Sequence, residues 1–442
     1  MRLLLTHGFF LQEDPKEQQI LRPYPPLGIL YLSAYLRSRG FDVDVYDSTW
    51  GSREELFRLL DEGPPAMLGL YVNLLTRTNA LAIIQRARAT GWSVIVGGPE
   101  PANYAEEYLN SGADYVVPGE GELVMEQLLA GNATPQGVVY RDADGRVVRT
   151  EAATQIRDLD SLPWPDRERI DVPRYLSAWR ERHGIGSVSL ITARGCPYSC
   201  RWCSHSTYGQ THRRRSPDAV ADEAEWILSR YQPEMLWYAD DVFTIHHGWT
   251  MKYAAELKRR NIRVPFECIT RADRLNAQVT NALAEMGCSR VWIGSESGSQ
   301  RVLDAMDRGV RVEQVQQAVA LAQGHGIQAG MFLMWGYEGE QIEDVEATVE
   351  HVKRCRPDVF LTTVSYPIKG TGYYDDVRDK LVRISEWPES TDRDWRIRGR
   401  HSRRYFQFAD ELLRNSMEAA PDIDRIEAAR TGLQATYAEV EA

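Results

Sequence analysis

Residues 191–205, ITARGCPYSCRWCSH, carry Cys196, Cys200 and Cys203 in a C-x3-C-x2-C spacing with no fourth cysteine nearby. A structural zinc site closes with four protein ligands, and iron–sulfur clusters that only transfer electrons are held by four. Three thiolates instead hold three corners of a cubane and leave one iron open. That iron is a coordination site for the amine and carboxylate of a substrate, within reach of an electron from the cluster. The competing reading is a zinc scaffold of Cys196, Cys200, Cys203 and His205. Zinc ligands usually come as two separated pairs, a pattern absent here. Cys268, Cys288 and Cys355 stand alone and read as small buried apolar residues.

Working outward, SVSLITA (187–193) reads as a strand leading into the cysteines, and five more strands follow in alternation with helices. They are EMLWYADD (234–241), VPFECIT (264–270), SRVWIGSES (289–297), IQAGMFLMWG (327–336) and DVFLTTVSYP (358–367). Residues 186–370 therefore predict a partial (β/α)6 barrel, with reactive groups at the carboxyl ends of its strands. Residues 1–135 show a second alternation of five short β-branched runs with amphipathic stretches, several ending in Gly. This predicts a doubly wound, flavodoxin-like α/β domain of Rossmann type. Its loops at 72–78, 97–104 and 118–122 should share one rim beyond the strand ends. GVVYRDADGRVVRT (137–150) reads as a hairpin, residues 136–185 as hairpin and linker, and 371–442 as a helical extension.

The 442 residues, 43% hydrophobic and 26% charged, fit two or three globular domains. A net charge of −11 argues against non-specific nucleic-acid binding. No run of eighteen apolar residues offers a membrane span, and MRLLLTHGFF meets QEDPKEQQ without a cleavage site, so a cytoplasmic location is expected. THRRRSPD (211–218) suits either an anionic ligand or a solvated face before a helix. DRDWRIRGRHSRRYF (392–406) interleaves arginines with aromatics; it reads as a seal over the barrel mouth or a partner for acidic surface rather than an RNA site.

The cysteine spacing on a loop after the first barrel strand resembles the radical S-adenosylmethionine (radical SAM) superfamily. The resemblance implies a [4Fe-4S] cluster on Cys196, Cys200 and Cys203, with SAM on the fourth iron and Trp202 on the adenosine side. It assigns Asp240 and Asp241 to the methionine ammonium, and Glu296, Ser297 and Gly298 to the ribose. Met331 and Met334 are offered to the adenine or to the core, and Tyr366, Lys369 and Thr371 to the active centre. The front domain is similar to the cobalamin-binding (B12) domain of one radical SAM subclass along PYPPLGILYLSAYLRSRGFDVDVYD (23–47), GGPEPANYAEEYL (97–109) and GADYVVPGEGE (112–122). The cobalamin candidates are Asn73, Leu74, Leu75, Thr76, Gly97, Gly98, Pro99, Gly119, Glu120, Gly121 and Glu122, with Leu74 or Leu75 as an apolar lower face. Two departures stand out: Asp47-Ser-Thr-Trp-Gly51 lacks the cobalt-ligating His of mutase-type domains, and Glu100 stands where His is frequent. The resemblance implies a C-methyltransferase that works through a 5′-deoxyadenosyl radical and methylcobalamin on a small-molecule substrate. An external flavodoxin- or ferredoxin-type donor would supply the electron. A cyclase or rearrangement enzyme and a non-catalytic iron–sulfur or zinc scaffold are the alternatives.

Overall fold

The computed structural model describes residues 2–442, which divide into two compact units. The first comprises residues up to Pro197, Ser204–Leu236 and Glu386–Thr391; the second comprises Tyr198–Cys203, Trp237–Ser385 and Asp392–Ala442.

In the first unit, β1 (Arg2–His7), β2 (Asp42–Val45), β3 (Met67–Tyr71), β4 (Ser93–Gly97) and β5 (Tyr115–Val117) lie in the order β2-β1-β3-β4-β5, all parallel. This is the flavodoxin-like order. Residue alternation sends the inner strands to two cores. Leu3, Leu5, Ile95 and Val117 pack with Ile29, Leu36, Met125 and Leu128 on one face. Leu4, Leu68, Leu70, Val94 and Val96 pack with Leu56, Leu60, Ile83, Ile84 and Tyr108 on the other. Parallel strands covered on both faces require such continuous apolar runs. Three of the expected terminal glycines, Gly40, Gly91 and Gly112, are left-handed, but Gly63 is extended, φ −76° and ψ 149°.

The hairpin β6 (Val139–Arg141) and β7 (Val147–Arg149) is present, and it is part of this sheet. β6 pairs antiparallel with β5 and β7 with β6, covering an edge that would otherwise be open to pairing. The expected boundary at residue 135 therefore falls inside a continuous sheet. The proline-containing stretch after it is not a solvated linker either. Arg167 and Glu223 are fully buried as an ion pair at 2.6 Å, and Arg215 also pairs with Glu223.

Within the first unit β8 (Ser187–Leu190) precedes the short antiparallel pair β9 (Ala193–Arg194) and β10 (Arg213–Arg214). Two arginines of THRRRSPD, Arg213 and Arg215, turn inward to protein partners rather than lie on a solvated face. Arg213 donates to Glu120 (2.8 Å) and to the Ile156 carbonyl (2.7 Å); Arg215 donates to Glu223 and to the Ile191 carbonyl (3.2 Å). The helix Pro217–Tyr231 begins as its sequence requires, capped by Ser216 with Pro217 in the first turn.

The second sheet takes strands β8, β11 (Met235–Tyr238), β12 (Phe266–Thr270), β13 (Cys288–Glu296), β14 (Gln328–Trp335) and β15 (Val359–Val364) in chain order. The pairings from β12 to β15 are parallel. β13 carries a bulge between Gly294 and Glu296, and Glu296 takes φ +62°, uncommon for a residue with a Cβ. After the barrel, helices Arg403–Ser416 and Ile423–Thr436 pack together. Gly432 permits the approach, since a Cβ there would lie 2.4 Å from the Phe408 ring. Two of the 392–406 arginines find partners within the unit: Arg400 donates to the Ser365 carbonyl (2.8 Å) and pairs with Glu441 (3.1 Å), and Arg404 pairs with Glu439 (3.3 Å). Among the described residues no helix is long and apolar enough to cross a membrane.

Two outcomes follow from the buried charges. Glu223→Ala strands two buried guanidiniums and should cost about 3–5 kcal/mol, read as a lower urea midpoint with an unchanged slope. Burial opposes ionisation of Glu120, but Arg213 and Arg194 outweigh it and hold its carboxyl below the ordinary range. Its stabilisation is complete above the unfolded carboxyl pKa of about 4.3 and fades as pH falls through the lower folded value. Glu120→Gln should be less stable than the parent at pH 7, and urea titrations should show the gap closing toward pH 3.

Candidate functional site

Parallel strands deliver their following loops to one end of a sheet, and here the loops after β3, β4 and β5 enclose a cavity of about 540 Å³ with helix Leu27–Ser38. Its wall is apolar, from Leu5, Leu32, Ile95, Val117 and Met125. Asn73, Thr76, Gly97, Gly98, Pro99, Gly119, Glu120, Gly121 and Glu122 all line it, so the three predicted loops do share a rim. Gly98 is obligatory: it takes φ +107°, and a Cβ would sit 2.4 Å from the Val72 carbonyl oxygen. At Gly28, Gly97 and Gly121 the nearest atoms to a Cβ would be 3.6–3.9 Å away; there glycine enlarges the cavity. The buried Tyr31 hydroxyl in its wall has no hydrogen-bond partner among the described residues. An apolar group with a polar edge suits this lining.

Leu74 and Leu75 do not line the cavity, and Leu75 is 57% exposed. Asn73 and Thr76 bond into their own turn, Asn73 Oδ1 accepting from Leu75 N and Thr76 Oγ1 from Asn73 N, both at 3.0 Å. The carboxylates of Glu120 and Glu122 are committed to Arg194, at 2.9 and 2.6 Å. Glu100 is turned away from the rim: its carboxylate accepts from Arg77 Nε at 2.6 Å and from the Tyr108 hydroxyl. The Arg77 guanidinium lies 4.7 Å from the Tyr104 ring and 4.9 Å from the Trp387 ring. An acid beside the rim is thereby neutralised from within.

His7 lines the cavity and was not singled out in the sequence. Its Nδ1 accepts from Phe9 N–H (3.2 Å), so Nε2 carries the proton toward Asp47 Oδ1 (3.2 Å). Tyr175 donates to the same carboxylate at 2.8 Å. The Asp47-Ser-Thr-Trp-Gly51 motif thus does have an imidazole partner, brought from forty residues away by the parallel pairing of Leu5 with Val45.

Cys196 is half-buried in the first unit, just beyond Gly195, whose φ of +83° lets the chain pass the Thr211 carbonyl. In the second unit Cys200 is buried and Cys203 exposed, joined by a turn in which Cys203 N donates to Cys200 O at 3.1 Å. None of the three is in a disulfide. The Cys203 thiol lowers the Cys200 pKa most; burial opposes this, and Arg308 and Arg271 reinforce it. The result is a thiol below its ordinary range, suited to bind metal as thiolate. Trp202 packs against a buried cluster that includes Val302, Met306, Met334 and Tyr337.

Past β11, Asp240 is buried and Asp241 exposed. Glu296 ends β13; burial pushes its carboxyl up to about 7 against the pull of Arg308, 3.8 Å away. Ser297 and Gly298 are engaged elsewhere. Ser297 Oγ meets Thr348 Oγ1 at 3.1 Å, and a Cβ on Gly298 would strike the helix Ile342–Cys355 at 2.5 Å. Gly298 allows a close helix approach. Met331 is fully buried on β14. Tyr366 is half-buried under Arg393, 5.2 Å from its ring. Thr371 caps the helix Gly372–Val377, and Lys369 N–H donates to Asp392 at 3.0 Å. Sequence reading also passed over Arg194, Arg271 and Arg308.

Residues 190–352 match the model of the radical SAM superfamily, and residues 19–129 match that of the B12 binding domain. An uncharacterized methyltransferase of Pyrococcus horikoshii is 26% identical over 385 residues, covering 83% of this chain and 82% of its own. The anaerobic magnesium-protoporphyrin IX monomethyl ester cyclase of Rubrivivax gelatinosus is 25% identical, covering 86% and 71%. Among solved structures, the radical SAM methyltransferase TsrM of Kitasatospora setae, with cobalamin and a [4Fe-4S] cluster bound, superposes with a TM-score of 0.71. It is 19% identical, covering 86% of this chain and 74% of its own. With both sequence models matched in this order, and the 2-1-3-4-5 sheet preceding the six-stranded one, the chain belongs to the radical SAM enzymes that carry a B12-binding domain.

Proposed function

We propose that the chain is a cobalamin-dependent radical SAM C-methyltransferase, with Cys196, Cys200 and Cys203 holding a [4Fe-4S] cluster whose open iron takes SAM. The observation that carries this is a glycine-rimmed cavity at the strand ends of the 2-1-3-4-5 sheet, in the same chain as the three-cysteine loop. When bound, the cluster supplies the electron that breaks a sulfonium carbon–sulfur bond, and the corrinoid supplies a transferable methyl group.

The chain's own residues bind and orient. The cavity between Leu5, Ile95 and Met125 would take the corrinoid's nucleotide tail, with Gly97, Gly98, Pro99, Gly119 and Gly121 as the backbone rim and Asn73 and Thr76 fixing the adjacent turn. Glu120 and Glu122 act through Arg194. Asp240 would neutralise the methionine ammonium by a charge-assisted bond, and Glu296, able to donate or accept near neutrality, would hold the ribose. Trp202 and Tyr366 complete that side. The electron comes from an external flavodoxin- or ferredoxin-type protein, the substrate is a small molecule rather than nucleic acid, and the enzyme works in the cytoplasm. The likeness to a cyclase favours ring closure as the second reading.

Anaerobic turnover with SAM and a reductant should yield 5′-deoxyadenosine, S-adenosylhomocysteine and methionine by liquid chromatography. Deoxyadenosine without adenosylhomocysteine would favour the cyclase. Cys196→Ala should abolish reductive SAM cleavage, and undiminished cleavage would refute the assignment. Gly98→Val, clashing with the Val72 carbonyl, should lose corrinoid absorbance while iron and sulfide content holds; equal absorbance would remove the cavity from the reading.

A further inference from the structure

We infer that Arg271 and Arg308 are positioning residues that raise the reduction potential of the cluster held by the cysteine loop, an inference that rests on the cluster reading above. The observation is a convergence of two buried cations on one sulfur. Arg271 follows β12 and Arg308 follows the short helix Gln300–Ala305 beyond β13; they are 3% and 6% exposed. Their Nη1 atoms donate to Cys200 Sγ at 3.6 and 3.7 Å. That sulfur stands for the thiolate that would bond to iron.

Neither guanidinium is free to swing away. Arg271 donates to the Arg308 carbonyl (2.9 Å) and to Asp273 (2.9 Å), and lies 3.7 Å from the Tyr198 ring. Arg308 donates to the Gly294 carbonyl at 3.0 Å. Their charges are unequally compensated. Asp273 pairs with Arg271, but the nearest acid to Arg308 is Glu296, 3.8 Å from its Nε and beyond hydrogen-bond range, so that Nε has no hydrogen-bond partner among the described residues. A buried cation without a close anion is costly; a cluster corner supplies the missing negative charge.

Hydrogen bonds to cluster sulfurs and local charge set the potential. Reduction adds one electron from a one-electron donor, taking the cluster core from 2+ to 1+, with no bond made or broken. Fixed cations at Cys200 favour the reduced form. The same charge draws electron density from the thiolate and acts in the same direction.

The test is an EPR-monitored titration of the full chain after anaerobic reconstitution, without SAM, using dithionite as the reductant. At a fixed potential, Arg308→Met and Arg271→Met should each lower the reduced-to-oxidised ratio about tenfold, a shift of about 59 mV for one electron. Arg308→Lys and Arg271→Lys, which keep the charge, should stay within about twofold of the parent. Neutral variants with the parent midpoint, or lysine variants that fall as far as the methionine ones, overturn the inference. If a neutral variant holds no iron, its lysine counterpart decides: a retained cluster with the parent midpoint supports the role, and loss overturns it. A parent chain that takes up no iron and sulfide brings down the cluster reading itself; a normal cluster with unmoved potentials brings down the inference alone.

Discussion

Arg194 is almost wholly buried between Glu120 and Glu122, and Glu120 is shared with Arg213. A guanidinium in that position is tolerable only with its carboxylates in place, and each carboxylate only with its guanidinium. The constraint joins three segments of the first unit: the loop that rims the cavity, the strand that ends two residues before Cys196, and the arginine run after the cysteine loop. Charge that looked available for ligands in the sequence is largely consumed in holding these backbones together. The rim meets its ligand mainly with glycine backbone and apolar wall, which suits a large cofactor gripped by shape.

The same economy recurs at Glu100. Taken alone it sets a negative charge at a rim where an anion is unwelcome, yet Arg77 and Tyr108 draw it inward, and the aromatic faces of Tyr104 and Trp387 shield the pair. Asp47 follows this pattern with His7 and Tyr175.

Much of the fold was legible because strand–helix alternation and apolar runs are local signals. The strand-end rule then places three loops on one rim from the sequence alone. What stayed hidden is non-local. The hairpin at 139–149 was legible as a hairpin but not as part of the front sheet, because a turn motif does not say which strand lies beside it. Gly298 read as a ligand contact because a sequence does not show that the helix Ile342–Cys355 presses on it. Leu74 and Leu75 read as a lower face from hydrophobicity, though the turn made by Asn73 and Thr76 directs them elsewhere. Each of His7 and Arg308 becomes visible only when pairing register or a chain reversal sets it beside its partner.

Trp387 completes the aromatic side of the front unit's core although it lies some 250 residues beyond the helix Glu122–Leu129. A chain leaving the ribosome at about 5–20 residues per second therefore makes the β1–β5 sheet roughly 13–50 seconds before the residue that closes it. During that interval the Arg77–Glu100 pair lacks one of its two aromatic covers and the backbone carbonyls that Arg77 binds at Trp387 and Ser390. The front unit matures last at its oldest end, so a nascent chain stalled before residue 386 would present a water-accessible charge pair where the finished protein has none.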